Sequence, residues 1–524
     1  MEMADEPDRI AEVFAGKDIL ITGGTGFLGK VLIEKLLRSC YDLRTIYLLI
    51  RTKKGKEPKQ RLEEIFSNPL FDKVKTQHGG VQNLVCKMKI IAGDVSILGM
   101  AISEEDRALL CENVNFVYHA AATIRFDEDL KKAVLLNTRG TRQMLELARE
   151  CKNLLLFCHV STSYCHLHEK LLLEKPYPPP ADPHKIIKCV EWLDDEVVTA
   201  MTDKILDTLP NTYAFTKALS EGLVVEAMKD IPCMILRPSI VIPIWQEPLK
   251  GWTDNINGPV GLLIGAGKGV IRSMYCNSNG YADYLPVDIV ANIMLTCTWN
   301  YVGNKDTEKT VYNVCSSQEV KVSWQEMIDI GRNIVTNKIP LNGVAWYPGG
   351  SMKSSRIMHN ICVFLFHLLP ALFVDSLLYL TGNKPVLMRV QRRINKGFEV
   401  FEYYANNQWD FRSDNLVSIR FLLNARETKT YKIDGIGLNI SDYFEQCILA
   451  TRKYILKVPD STLPADRRHM KIMYVVDRLT RIAFWGLMLW LMSDYIWMLY
   501  DYIFKGESRS SYSPTPSEVP IMEI

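Results

Sequence analysis

Charge of one sign is what this sequence has least of. Its 62 lysines and arginines stand against 60 aspartates and glutamates, a net charge of +2 over 524 residues. No positive field exists to neutralise a phosphate backbone, which excludes nucleic acid as a bulk partner. A disulfide framework is lacking too. The 13 cysteines are scattered, and reduced thiols in a cytosolic compartment fit them best. No internal repeat is present. The start, MEMADEPDRIAEVF, is acidic and has no apolar run behind a basic end, so it does not read as a secretory signal. At 48% hydrophobic and 23% charged, the composition is that of a globular protein with a large core. The length predicts two domains or one large one.

One stretch departs from that ordinary pattern. Ile482 to Tyr500 reads IAFWGLMLWLMSDYIWMLY, almost wholly apolar, with Asp494 as its one charge. About 20 such residues match a bilayer core. Arg467, Arg468, Lys471, Arg478 and Arg481 precede it and favour a cytosolic N-terminal side. A hairpin or an interfacial helix is the alternative to a full span, because Asp494 is costly at mid-membrane.

The first 300 residues alternate short β-branched runs with amphipathic stretches, which predicts a parallel sheet covered by helices. The candidate strands are DILIT (18–22), TIYLLIR (45–51), KIIAGDV (89–95), NFVYHAA (115–121), LLLFCHVST (154–162) and CMILRPSIV (233–241). Each is a continuous apolar run, as a strand buried on both faces should be. The expected fold is α/β, a Rossmann-type doubly wound sheet over 15–345 behind an N-terminal extension at 1–14. Residues 164–210 read as an insertion that helps build a substrate site. Within it KPYPPPADPHK is too proline-rich for regular structure, and IIKCVEWLDDEVVTAM reads as one amphipathic helix. YPGGSMKSS near 350 reads as a linker. A helical domain is expected over 350–460, a membrane-associated segment over 470–504, and a disordered tail over 505–524.

The strongest motif is Thr22-Gly23-Gly24-Thr25-Gly26-Phe27-Leu28-Gly29, which follows a strand and opens a helix, as a dinucleotide turn does. Gly23 allows the tight turn, Gly26 the approach of a pyrophosphate, and Gly29 close helix packing. The second strand ends in Arg51, followed by Thr52, Lys53 and Lys54, where a sheet of this kind that binds NAD usually has an acidic residue. A guanidinium there suits a 2′-phosphate, so NADPH is the expected cofactor; a solvated basic loop is the alternative. Asp94 closes the third strand, where a carboxylate could reach an adenine amino group; for it, as for the small residues after the fourth strand, a packing role is the alternative. Ala120 and Ala121, after His119, leave room for a cofactor.

Tyr213 and Lys217 in NTYAFTK lie one helical turn apart. A phenol with an ordinary pKa near ~10 is a poor acid or base at neutral pH, and an adjacent ammonium lowers that value. Ser161-Thr162-Ser163, after LLLFCHV, can supply a hydroxyl to the substrate carbonyl. Cys165, His166 and His168 lack zinc-ligand spacing, and no metal is expected.

TGGTGFLG, GDV, HAAA, VSTS, YAFTK and RPSIV, in that order, resemble the extended short-chain dehydrogenase/reductases. The resemblance implies Tyr213 as general acid/base, Lys217 as its tuner and Thr162 as the carbonyl donor, a threonine where serine is commoner. With Val95, Asn137, Lys217 and Pro238, the residues above complete the candidate cofactor set. A closer resemblance rests on HVSTSYCH, DPHKIIKCVEWLDD, PNTYAFTKALSE, GWTDNINGPVGLLIGAGKG, YADYLPVDIVAN and LPADRRHMKIMYVVDR. It covers residues 15 to about 480 and is to the alcohol-forming fatty acyl-CoA reductases. It implies NADPH-dependent reduction of a long-chain or very-long-chain fatty acyl-CoA to a primary alcohol, through a hemithioacetal and an aldehyde. It also implies a C-terminal domain of male-sterility type and a peroxisomal or endoplasmic reticulum membrane, with membrane lipid as a partner. Lys250, Lys268 and Arg272 are candidate CoA-phosphate ligands. A hydroxysteroid or sugar-nucleotide reductase of the same superfamily, and a non-catalytic NADPH-binding membrane protein, are the rival readings.

Overall fold

The computed structural model describes residues 6–505, except 53, 54, 257, 317 and 318. Seven parallel strands form one sheet: β1 (Asp18–Thr22), β2 (Thr45–Ile50), β3 (Met88–Ala92), β4 (Phe116–His119), β5 (Leu156–Val160), β6 (Cys233–Pro238) and β7 (Val311–Val314). Their spatial order is β7-β6-β5-β4-β1-β2-β3. The order reverses between β1 and β4, so a crevice opens at the carboxyl ends of those two strands. β1, β4, β5 and β6 are buried along their whole length, as their unbroken apolar runs require. Six strands lie where the sequence places them. β7, VYNV, is four residues long and carries no pattern that separates it from a buried helical turn.

Helices cover both faces. α1 (Phe27–Ser39) follows the glycine motif. α2 (Gly140–Glu150) continues a helical run that contains a π-type turn at Val134–Arg139. α3 (Thr212–Ala227) carries the tyrosine–lysine pair, and α4 (Val287–Val302) is almost entirely buried. Val31, Leu36, Val290 and Met294 build one core with Ile19 and Ile21 of β1. Phe215, Leu219 and Met144 build the other with Leu20 and Val117. Successive β1 residues thus feed opposite cores, as a strand's period of two dictates.

The C-terminal part is helical: α5 (Arg356–Leu380), α6 (Leu387–Asn406) and α7 (Leu463–Lys505), with shorter helices between. α5 and α7 are both long and apolar enough to cross a membrane. α7 is one continuous helix of 43 residues, which takes in the expected 470–504 segment.

Several expectations need correction. Ser351–Lys353, expected in a linker, is a strand paired in parallel with Ser273–Tyr275. A Cβ on Gly350 would lie 2.8 Å from the Ile271 carbonyl oxygen, so glycine there serves close backbone approach. The N-terminal extension is no appendage from Arg9 onward. Ile10 and Phe14 are fully buried, and Arg9 pairs with Glu427 at 2.6 Å. The expected helix at 186–201 is two, Pro183–Trp192 and Asp195–Leu206. The irregular proline run ends at Asp182, whose carboxylate accepts from the His184 and Lys185 amides, with Pro183 as the first helical residue. Lys505 ends α7, and the remainder of the expected tail lies outside the described residues.

Candidate active site

The turn after β1 is shaped by what glycine omits. Gly23 has φ +74°, and a Cβ there would lie 2.7 Å from the Ala120 backbone. A Cβ on Gly29 would overlap the Gly23 carbonyl oxygen. Gly29 therefore lets α1 close onto the turn itself, not onto the sheet. The Gly26 amide donates to the Gly23 carbonyl at 2.8 Å, and Gly26 is the N-cap of α1, so the free amides of the first turn face the crevice. Thr22 joins β1 to β4: its Oγ1 is 2.8 Å from His119 Nδ1 and accepts the Ala121 amide at 3.2 Å. Burial, and then the Lys217 charge, push the His119 imidazole down to about 3, so it stays neutral.

Arg51 and Arg61 line the same crevice. Arg61 donates to the Arg51 carbonyl and to Thr25 Oγ1, both at 2.8 Å. Burial and the neighbouring Arg51 charge lower the Arg61 pKa. Two guanidiniums held this close suit an anion. Arg51 also donates to Asp94 at 3.1 Å. Burial opposes the Asp94 charge, but hydrogen bonds from Ser96 and Arg51 outweigh it and hold the carboxylate below its ordinary pKa. Lys53 and Lys54 lie outside the described residues.

Tyr213 is the second residue of α3. Asn211 caps that helix, its Oδ1 accepting the Ala214 amide at 2.9 Å. The Thr162 hydroxyl, just past β5, shares a hydrogen bond with the Tyr213 phenol. Lys217 Nζ donates to the Val160 carbonyl at 2.7 Å, and burial lowers its pKa to about 8. The expected depression of the phenol's pKa by Lys217 is not seen. Burial, reinforced by Cys165, raises it, and only the Thr162 hydrogen bond opposes this. The phenol therefore stays protonated at neutral pH.

Thr162, Tyr213 and Lys217 share one cavity of about 1110 Å³ with Thr22, Gly23, Thr25, Gly26, Phe27, Leu28, Gly29, Arg51, Asp94, Val95, Ala120, Ala121 and Pro238. Two candidates lie off it. Gly24 packs towards Leu48 and Ile33 of the core. Asn137 is buried behind the wall, where Oδ1 accepts the Thr123 amide at 2.8 Å and Nδ2 donates to Thr216 Oγ1 at 2.9 Å. It ties the loop after β4 to α3 and does not face a cofactor.

Beyond Tyr213 the cavity continues into apolar walls. They come from Pro259–Gly267 (Val260, Leu263, Ala266), Trp324–Asn333 (Met327, Ile328), α6 (Val400, Phe401) and Phe444. Phe126 stacks on Tyr213 at 5.5 Å and meets Phe401 and Tyr404 of α6. Asn211 Nδ2 donates to the Tyr404 hydroxyl at 2.9 Å. The C-terminal helices therefore wall the site. The 164–210 insertion does not: only Tyr164 of that stretch reaches the cavity. Of the CoA-phosphate candidates Arg272 lines it, and Lys250 and Lys268 do not.

Sequence reasoning missed Arg61, Phe126 and Tyr404. The Asn211 cap was missed as well, although an asparagine just before a helical run is a cap signal; Arg61, Phe126 and Tyr404 carry no local signal. Cys165, His166 and Glu221 come together with ligand atoms within 4.8 Å of one another. Both Glu221 oxygens already accept, from Arg237 at 2.7–3.2 Å and from His166 at 2.9 Å. A cation would have to displace a guanidinium, so the cluster reads as a buried ion network joining α3 to β6.

Two family models match the chain, both described as male sterility protein, over residues 21–294 and 366–458. Fatty acyl-CoA reductase 1 of Rattus norvegicus is 40% identical over 91% of this chain and 92% of its own length. The Homo sapiens protein of that name is 37% identical over the same shares. The chain belongs to the fatty acyl-CoA reductase family. Among solved structures, the reductase domain of a nonribosomal peptide synthetase from Mycobacterium tuberculosis aligns with TM-score 0.55 at 18% identity, covering 85% of this chain and 95% of that one. The terminal R domain of the myxalamid PKS-NRPS pathway aligns with TM-score 0.54 at 20% identity, covering 85% and 93%. These likenesses bear on the fold alone, a parallel α/β sheet covered by helices.

Proposed function

We propose that this family member reduces long-chain fatty acyl-CoA to primary alcohol and CoA, using NADPH, at one site. The observation that carries the reading is the continuous cavity that joins the glycine turn to an apolar chamber, with Tyr213 and Thr162 at the junction. The turn fits a dinucleotide: its glycines leave a cradle that side chains would fill, and Arg51 with Arg61 offers paired donors to a 2′-phosphate. When bound, the nicotinamide supplies hydride. Thr162 and Tyr213 donate hydrogen bonds to the substrate carbonyl oxygen as negative charge builds on it. Tyr213, kept protonated by burial, gives its proton to the final alkoxide. Lys217 holds the end of β5 and adds a cation to the cavity that Tyr213 lines. The same pair serves the thioester and then the aldehyde. Phe126, Phe401 and the apolar chamber exclude water and hold the acyl chain, each buried CH₂ contributing about 0.8 kcal/mol.

The catalytic body sits on the cytosolic face of a peroxisomal or endoplasmic reticulum membrane, tethered by α7. The test is NADPH oxidation with a panel of acyl-CoAs from short to very long, with the lipid product identified. Alcohol from the longer chains is expected. Oxidation only with steroid or sugar-nucleotide substrates would replace this reading with another reductase. No oxidation with any of them would leave a dinucleotide-binding protein without this activity.

A further inference from the structure

α5 is an amphipathic helix turned inside out. Its buried stripe, at intervals of four or eight residues, is His359, His367, Ala371 and Asp375. Its exposed side carries Ile357, Phe364, Leu369, Phe373, Leu377 and Leu380, with Phe373 65% and Leu380 79% exposed. Each buried polar side chain makes at least one hydrogen bond, although His367 Nδ1 has no partner. His359 Nδ1 is 2.9 Å from Ser273 Oγ, and His367 Nε2 accepts the Arg272 amide at 2.9 Å. Asp375 accepts the Val386, Leu387 and Met388 amides at 2.8–2.9 Å, capping α6. In water the opposite arrangement is the stable one, with apolar side chains inward and polar ones out.

Length and composition alone make α5 a candidate span, but its two ends forbid a single crossing. The chain enters it from Ser351–Lys353, which pairs with Ser273–Tyr275. It leaves into α6, whose Tyr404 reaches the Asn211 cap of α3. α6 brings the chain back to that body, and with Arg389, Arg392, Arg393, Lys396 and Glu399 along it it is too charged to re-cross a bilayer, so both ends of α5 lie on one side.

Three observations say what covers the apolar face. Arg272 links α5 to the apolar C-terminal helix: its amide donates to His367, and its guanidinium lies 3.6 Å from Asp477 of α7. Beyond Arg481, α7 is exposed along almost its whole length. The two apolar surfaces therefore rise from the same floor. The segment after α5 also carries Lys384, Arg389, Arg392 and Arg393, all exposed, with no acidic residue between Asp375 and Glu399. Apolar side chains beside such a basic segment suit a leaflet with anionic headgroups.

We infer that α5 lies in the surface of a phospholipid leaflet, apolar side inward to the lipid, as a monotopic contact that does not cross the membrane. Arg272, Ser273 and Met352 line the cavity directly beneath it. If the proposed acyl-CoA reduction holds, the chamber opens where acyl chains partition.

The full chain, reconstituted in phosphatidylcholine–phosphatidylserine bilayers, tests this. An encoded fluorescent amino acid is placed at Ile357, Phe364, Phe373 or Leu380, with Trp490 of α7 as a deep reference. Quenching is measured with lipids carrying a nitroxide at the headgroup or at successive acyl depths. Dinucleotide binding, followed separately, shows that each variant is folded. The four α5 positions should share one shallow depth, with Trp490 deeper. A depth running progressively from Ile357 to Leu380 would make α5 a span and overturn the inference. So would the absence of quenching by any lipid, including protection by a second copy of the chain. The readout does not require turnover, so it stands apart from the outcome of the activity assays.

Discussion

At one end of the cavity the wall is backbone; at the other it is side chains. The dinucleotide end is eight consecutive residues, Thr22 to Gly29, whose shape depends on missing Cβ atoms. The apolar end draws on Val260, Met327, Phe401 and Phe444, spread over almost 190 residues of sequence. A backbone site tolerates almost no substitution, because added atoms strike fixed atoms. A side-chain wall can be remodelled one residue at a time, and the result is a change in what fits. The two ends meet at Tyr213, which belongs to neither.

The largest expected effect is therefore at the junction. Tyr213→Phe should lower kcat by about 10²–10⁴-fold and leave NADPH affinity nearly unchanged, as steady-state kinetics beside a cofactor titration will show. Next comes the rigid end. Gly29→Ala should destabilise the fold by about 1–3 kcal/mol through overpacking and abolish tight dinucleotide binding, read by thermal melting and fluorescence titration. Arg51→Asp should weaken NADPH by about 10–100-fold, the equivalent of about 1.5–3 kcal/mol of charge-assisted hydrogen bonding, and NADH much less. Equal loss for both would remove the 2′-phosphate from the account.

A pH profile probes the junction differently. Burial lowers the Lys217 pKa to about 8, so the cation is present below that pH and lost above it. Activity should fall as pH rises through about 8, and a kcat/KM profile flat to about pH 10 would contradict the role given to Lys217. The smallest effect belongs to the adaptable end. Ala266→Phe should shorten the preferred acyl chain, at about 0.8 kcal/mol, roughly fourfold, per excluded CH₂. Dinucleotide affinity should stay as it is.

The same contrast decides what the sequence could reveal. Strands buried on both faces announce themselves as apolar runs, and a glycine turn is local by nature, so β1 to β6 and the cofactor crevice were legible. So was the placement of Thr162, Tyr213 and Lys217 together, because they end or open predicted elements. Asn137 misled because an asparagine on a helix can face either way, and here Thr123 and Thr216 claim it from within. Arg61 and Phe126 reach the cavity only through the tertiary fold. The 164–210 insertion follows a central strand, yet the ion network of His166, Glu221 and Arg237 draws its first turn inward. The walls fall instead to segments whose only sequence signal is that they are apolar. α5 shows the limit of composition: its hydropathy is that of a span, and only His359, His367 and Asp375 on one stripe, with a following helix too charged to return across a bilayer, argue otherwise.

The central claim is that one site carries out both reductions. It is tested most directly by the ratio of NADPH oxidised to CoA released, with palmitoyl-CoA and the reconstituted full chain. A ratio of two with hexadecanol as the lipid product is the predicted result. A ratio of one with accumulating aldehyde would contradict it.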